Sequence, residues 1–263
     1  MKAVIFTSNS IRHKFFANSL QNSLDDLLIV SECRENDEFN ESYGENDKIT
    51  KHFKNRNKIE NKYFESNDEF NSKCIPILYK EVNHNFIYEK IKKYNPDVMI
   101  VFGSSIIKNP LLSLSKKNKF LNLHLGLSPY YKGNATNFWP FINNELKFLG
   151  STILHIDSGI DTGDIITHVR PKIEKNDNVH TIGCKIIQES AKKMGIILNL
   201  IKENKEINRI PQWNTKNEKI YKLKDFNQAI LEDYLNKIEN GIVEKFLLEE
   251  EGKFKIINSI EAK

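Results

Sequence analysis

Cysteine is scarce in this 263-residue chain, and its three thiols, Cys33, Cys74 and Cys184, are odd in number and widely spaced. That excludes a disulfide framework and a paired-thiolate metal site, and it suits a reducing, cytoplasmic setting. Long apolar runs are missing too. The opening stretch Met1 to Thr7 meets Arg12, His13 and Lys14 almost at once, too soon for a signal peptide or a membrane span, and no later run is long enough. No membrane partner is expected. Nor does one sign of charge dominate: 39 basic side chains against 35 acidic ones leave +4, and the basic residues are interleaved with Glu and Asp rather than massed in a stripe. Such a surface gives no reason to expect a nucleic-acid partner. There is no internal repeat, and no Ser or Cys sits in a nucleophile elbow. His168 and His180 keep no metal-ligand spacing with each other or with His124, so no metal is expected. Asn134-Ala135-Thr136 spells a glycosylation sequon, which carries no weight without export.

What is present is an alternation of short apolar runs and helical patterns. Lys2 to Thr7 reads as a buried strand, Arg12 to about Leu24 as a helix, and Leu27 to Ser31 as a second strand. Residues 34–73 form a polar, charged insertion with sparse apolar positions such as Ile49, Phe53, Ile59, Tyr63 and Phe64. The rhythm resumes with Ile75 to Tyr79, Phe86 to Tyr94 and Asp97 to Phe102, where Pro96 marks a boundary. Phe120 to Leu125, Ser151 to Ile156 and Ile165 to Val169 are further strands. Thr136 is the expected cap of a short helix through Phe138 and Phe141, and Asp177 that of a long helix carrying Ile182, Ile186, Ala191, Met194, Leu198 and Ile201. Alternation of this kind predicts an α/β domain, a mainly parallel sheet flanked by helices, over residues 1–205. A short C-terminal α/β appendage is expected over 206–263: a strand near Glu218 to Leu223, a helix from Asp225 to Asn240, and a last segment from Phe254 to Ile257.

The chemistry gathers between Asn122 and Gly163. On one strand, Asn122 and His124 share a face by their i, i+2 spacing, while Leu121, Leu123 and Leu125 share the other. The acidic loop that ends in Asp161 follows a second apolar segment, so an amide, an imidazole and a carboxylate converge if the two segments are neighbours. An imidazole so placed accepts a proton from an attacking amine, the carboxylate orients the ring, and the amide N–H stabilises a developing oxyanion, a donor worth about 3 kcal/mol. A plainer reading fits the same letters. In it, His124 is merely hydrogen-bonded at a strand end and Asp161 shapes a turn with Gly159 and Gly163.

As one string, these residues are more specific. Asn122-Leu123-His124, the loop Gly126-Leu127-Ser128-Pro129-Tyr130-Tyr131-Lys132-Gly133 and Asp157-Ser158-Gly159-Ile160-Asp161-Thr162-Gly163 resemble, in order and separation, the motifs of the formyltransferases that use 10-formyltetrahydrofolate. The resemblance runs over about 97–200 and includes Phe102 to Pro110, similar to the family's pterin-side segment. It implies a Rossmann-like catalytic domain with Asn122, His124 and Asp161 as the catalytic trio. It also implies a formyl-donor site beside Ile106, Lys108, Ile156, Asp157 and Ile160, much of it formed by backbone groups. Leu125-Gly126-Leu127-Ser128 departs in letters from many members but keeps the loop length.

Among the family's branches, the stretch His52-x-x-x-Arg56-x-x-x-Glu60-x-x-Tyr63-Phe64 and a short C-terminal appendage resemble the enzymes acting on nucleotide-linked amino sugars. By that resemblance the acceptor is the amine of a GDP- or dTDP-linked amino deoxysugar, for surface polysaccharides such as lipopolysaccharide O-antigen. Methionyl-tRNA and glycinamide ribonucleotide are the alternative acceptors, and an inactive binding module is an alternative of another class. Tyr130, Tyr131 and Trp139 are candidate stacking rings for sugar or base, with core packing as the other reading. Lys132 is a candidate diphosphate ligand or a solvated lysine, and His155 a site-facing or a satisfied buried histidine. A symmetric homodimer is the general expectation for such an enzyme.

Overall fold

A computed structural model of the protein describes residues 1–33, 48–114, 119–249 and 252–261. In chain order it contains β1 (Lys2–Ser8), α1 (Ile11–Ser19), β2 (Asp26–Cys33), α2 (Lys48–Tyr63), β3 (Lys73–Leu78), α3 (Asn85–Tyr94), β4 (Val98–Val101), β5 (Phe120–His124) and β6 (Tyr131–Gly133). These are followed by α4 (Trp139–Ile142), β7 (Ser151–His155), β8 (Ile165–Val169), α5 (Val179–Lys202), β9 (Lys219–Tyr221), α6 (Gln228–Glu239) and α7 (Ile242–Leu248). The part of the insertion before Lys48 lies outside the described residues; the rest supplies α2. No helix among the described residues is long and apolar enough to cross a membrane.

The main sheet has the order β3-β2-β1-β4-β5-β7-β8. Neighbours from β3 to β5 pair in parallel, whereas β5 with β7 and β7 with β8 pair antiparallel. The sheet is therefore mainly parallel, and its inner strands read as unbroken apolar runs because both faces are covered. On one face Ala3, Ile5, Ile29, Ile100, Leu121 and Leu123 pack against Phe16 and Ala17 of α1 and Cys184, Ile187 and Met194 of α5. On the other, Val4, Phe6, Val30, Met99, Val101 and Phe120 pack against Ile87 and Ile91 of α3 and Ile107. Residues alternate faces along a strand, so Asn122 and His124 join Phe120 on this second face.

Two helix starts differ from the sequence reading. Thr136 does not cap α4; its hydroxyl donates to the Leu125 carbonyl instead, and Phe138 stands at the cap without a side-chain bond. The long helix α5 is capped by Asn178 rather than Asp177. The Asn178 side chain accepts from His180 N and Thr181 N, and Thr181 Oγ1 accepts from Asn178 N, a closed capping box. Asp177, one residue earlier, takes Thr181 Oγ1 at 2.8 Å and Lys185 Nζ at 2.7 Å.

Residues after 205 are woven into the same molecule. Ile210 and Ile165 exchange backbone hydrogen bonds, β9 pairs in parallel with β6, and Leu231, Tyr234 and Val243 share a core with Tyr130, Tyr131, Trp139, Phe148 and Ile49. The stretch His52, Arg56, Glu60 lies along α2 and faces other helices: buried Glu60 takes both its oxygens to Arg12 at 2.8 and 3.0 Å, and the His52 ring sits 4.4 Å from that of His180.

Candidate active site

The site stands where β5 meets two loops. Val101 pairs with Asn122, so β4 ends beside the middle of β5 and its continuation, Phe102 to Lys108, passes over the second face. Gly103 adopts a left-handed φ of 79°, and a Cβ there would run into the His13 ring, which is held by Ser8. That close approach lets the segment from Gly103 turn beside β5.

The acidic loop arrives by a route the sequence did not show. Because β7 runs antiparallel to β5, it ends with His155 opposite Leu121, and Ile156 N bonds Phe120 O, at the far end of β5. The chain then doubles back across the face. Asp157 ties this turn by accepting from Gly159 N at 3.0 Å and from Thr162 Oγ1 at 2.8 Å, and Gly163 packs so tightly that a Cβ would land on the His155 carbonyl oxygen.

Between these ties Asp161 takes a left-handed backbone conformation with φ 54° and turns its carboxylate to β5. Its Oδ1 accepts from Asn122 Nδ2 at 3.2 Å, its Oδ2 accepts from Gly133 N at 3.3 Å, and Oδ2 lies 3.3 Å from His124 Nδ1. The amide, imidazole and carboxylate singled out in the sequence are thus brought together. His124 is 7% exposed, and its Nε2 lies 3.0 Å from the Tyr131 carbonyl oxygen. Both ring nitrogens face oxygen acceptors, so an imidazolium donates to both and a neutral ring to only one. Asn122 has a second amide hydrogen beyond the one given to Asp161.

The residues expected to hold the formyl donor flank this point. Ile107 and Ile156 share the core of the second face, while Ile106 and Ile160 are 57% and 59% exposed. Both isoleucines thus turn apolar side chains to solvent, Ile106 from the stretch that follows β4. The Asn83 amide grips that stretch, donating to Ile106 O at 2.8 Å and accepting from Lys108 N at 2.6 Å. Buried Glu32 fixes it further by accepting from Ser105 N at 2.9 Å.

The four candidates for acceptor contacts, Tyr130, Tyr131, Trp139 and Lys132, are each taken up by their surroundings. Tyr130 is 3% exposed, packed among Phe148, Trp213 and Phe254, with its hydroxyl on Lys255 O. Trp139 is equally buried and stacks on Tyr221 at 4.1 Å and 6°. Neither offers a ring face to a ligand. The Lys132 ammonium is bound to Glu218 at 2.9 Å, so its charge is already matched. Tyr131 is fully buried, and its backbone carbonyl rather than its ring meets His124. His155 is buried, as in the plainer reading, but only half satisfied: Nε2 lies 3.0 Å from Asn208 O, Nδ1 is buried without a hydrogen-bond partner, and burial pushes its pKa down.

Gly133, the last residue of the loop motif, sends its N–H to Asp161, a role the motif did not state. Sequence reasoning missed Gln212, whose Nε2 donates to Asp161 O at 2.7 Å and Gly163 O at 2.9 Å; it comes from a segment brought near the loop by tertiary pairing and has no local signal.

A family model described as formyl transferase matches residues 21–197. The methionyl-tRNA formyltransferase of Thermodesulfovibrio yellowstonii is 34% identical over 169 residues, covering 57% of this chain and 53% of its own. The chain spans about half the length of the curated relatives it matches. Among solved structures, the formyltransferase PseJ from Anoxybacillus kamchatkensis, in complex with UDP-4,6-dideoxy-4-formamido-L-AltNAc and tetrahydrofolate, has a TM-score of 0.52 at 23% identity, over 93% of this chain and 97% of that chain. Phosphoribosylglycinamide formyltransferase from Anaplasma phagocytophilum has a TM-score of 0.56 at 14% identity, over 84% of this chain and 97% of its own. At such identities the likeness is one of fold.

Proposed function

Since the chain belongs to the formyl transferase family, we propose that it moves a formyl group from 10-formyltetrahydrofolate to the amine of a nucleotide-linked amino deoxysugar, GDP- or dTDP-linked. The observation that carries the reading is the meeting of Asn122, His124 and Asp161 on one face of β5. The acceptor amine attacks the formyl carbon, a C–N bond forms, the bond to the folate N10 breaks, and tetrahydrofolate leaves. The second N–H of Asn122 donates to the oxyanion that develops. His124 takes the amine proton and returns it to the folate N10 as that nitrogen leaves, while Asp161 holds the ring and pairs with its charge in between. Ile106, Lys108, Ile156, Asp157 and Ile160 form the donor side.

The choice of acceptor is supported by the fold likeness to PseJ, which takes in 93% of this chain. The identity to methionyl-tRNA formyltransferases favours a second reading, in which the acceptor is initiator methionyl-tRNA. The test is to incubate the protein with 10-formyltetrahydrofolate and, separately, a panel of nucleotide-linked amino sugars, methionyl-tRNA and glycinamide ribonucleotide, and to follow each acceptor by mass. A formyl gain on an amino sugar is expected. A gain only on methionyl-tRNA replaces the acceptor, and no gain anywhere refutes the reaction.

A further inference from the structure

The turn that presents Asp161 concentrates unfavourable features in one place. Asp161 is a non-glycine residue with φ 54°, and Gln212 Oε1 is buried without a donor. Each costs free energy, and such costs persist where the surroundings impose them for function. The Gln212 side chain links the two. A carboxamide facing two carbonyls must present its nitrogen, and Nε2 donates to Asp161 O and Gly163 O at 2.7 and 2.9 Å. It therefore spans the residue after Asp161 and fixes the carbonyls on either side of the bend. Its own backbone is anchored nearby: Ile210 pairs with Ile165 through two backbone hydrogen bonds, and Arg209 Nε lies 2.9 Å from Asp164 Oδ2.

We infer that Gln212 is a positioning residue for formyl transfer: it clamps the Asp161 turn so that the carboxylate stays aimed at His124 and Asn122. The inference rests on the reaction proposed above. It places a residue beyond the matched family segment in the service of the site, although Gln212 touches none of the three reacting side chains.

The test compares Gln212→Met, which keeps the volume and loses the donor, with Gln212→Asn, whose shorter arm reaches one carbonyl at most. Arg209→Ala serves as a control for the docking of the segment. Steady-state kinetics are measured on the preferred acceptor of the full-length wild-type protein, with circular dichroism to confirm folding. The expected result is a kcat lowered ten-fold or more in Gln212→Met, a smaller loss in Gln212→Asn, both KM values within three-fold of wild type, and an unchanged kcat in Arg209→Ala. Wild-type kcat in either Gln212 variant overturns the inference, as does an equal loss in Arg209→Ala or a change confined to KM. If Gln212→Met does not fold, Gln212→Asn decides alone. Absence of transfer by the wild-type protein is the separate failure of the proposed reaction.

Discussion

His168 should make the protein sensitive to acid in a way that one substitution removes. The ring lies in β8, 2% exposed, with Nδ1 accepting from Ile257 N at 2.9 Å and Nε2 donating to Ser128 O at 2.8 Å. Only the neutral ring can make both bonds, because a proton on Nδ1 would face the Ile257 N–H. Burial accordingly pushes its pKa down from 6.5 to about 4. The unfolded chain takes up the proton near the ordinary value, so between pH 6.5 and about 4 the unfolded state binds more protons than the folded one. Stability from this group is complete above pH 6.5, declines as pH falls, and is lost once pH passes below the folded value. The span corresponds to about 3 kcal/mol. Urea unfolding of wild type and His168→Gln, which offers a donor and an acceptor but does not titrate, should be measured from pH 7.5 to 4. The difference between the two proteins should shrink or reverse by about 3 kcal/mol across that range, while the acid response of His52 and His180, pushed down to about 4 and about 3, cancels between them. A difference that stays flat with pH would refute the account of a buried neutral imidazole.

Other substitutions probe the site and its supports. Asn122→Ala should cost roughly a hundred-fold or more in kcat, in line with the loss of an oxyanion donor, and His124→Ala should abolish transfer, both with unchanged circular dichroism; normal turnover in either variant would exclude the mechanism. Gly163→Ala should destabilise by about 1–3 kcal/mol in thermal unfolding and lower kcat as well, because relieving the contact with His155 O displaces the Asp161 turn. Asn178→Ala should cost about 1 kcal/mol through the lost cap of α5, without affecting kcat.

Much of the fold was legible because local pattern and tertiary role coincide. The apolar runs of β1, β4 and β5 are buried on both faces, and the stripe on α5 faces the core, so periodicity alone locates them. Thr136 and Asp177 were misplaced as caps because a hydroxyl or carboxylate near a helix start has other partners open to it, and here a strand-end carbonyl and Lys185 take them. The trio was legible for its spacing and its family string. The roles of Tyr130, Trp139 and Lys132 were not, because what covers them, Trp213, Phe254, Tyr221 and Glu218, lies some 82 to 124 residues away along the chain and approaches only through tertiary contacts such as the pairing of β9 with β6. The return of the acidic loop was hidden for a similar reason: nothing in the letters of β7 states that it runs against β5.

The pairing of β9 with β6 bears on how the terminal segment is to be exchanged between relatives. Lys219 N bonds Tyr130 O, Asn134 N bonds Tyr221 O, and a Cβ on Gly133 would strike that same carbonyl. A chimera joined just after α5 would exchange the terminal segment while leaving behind the strand it mates with. Transplants should therefore carry 126–134 and 207–226 together as one cassette, for a graft of either half alone would meet a host surface cut to fit something else.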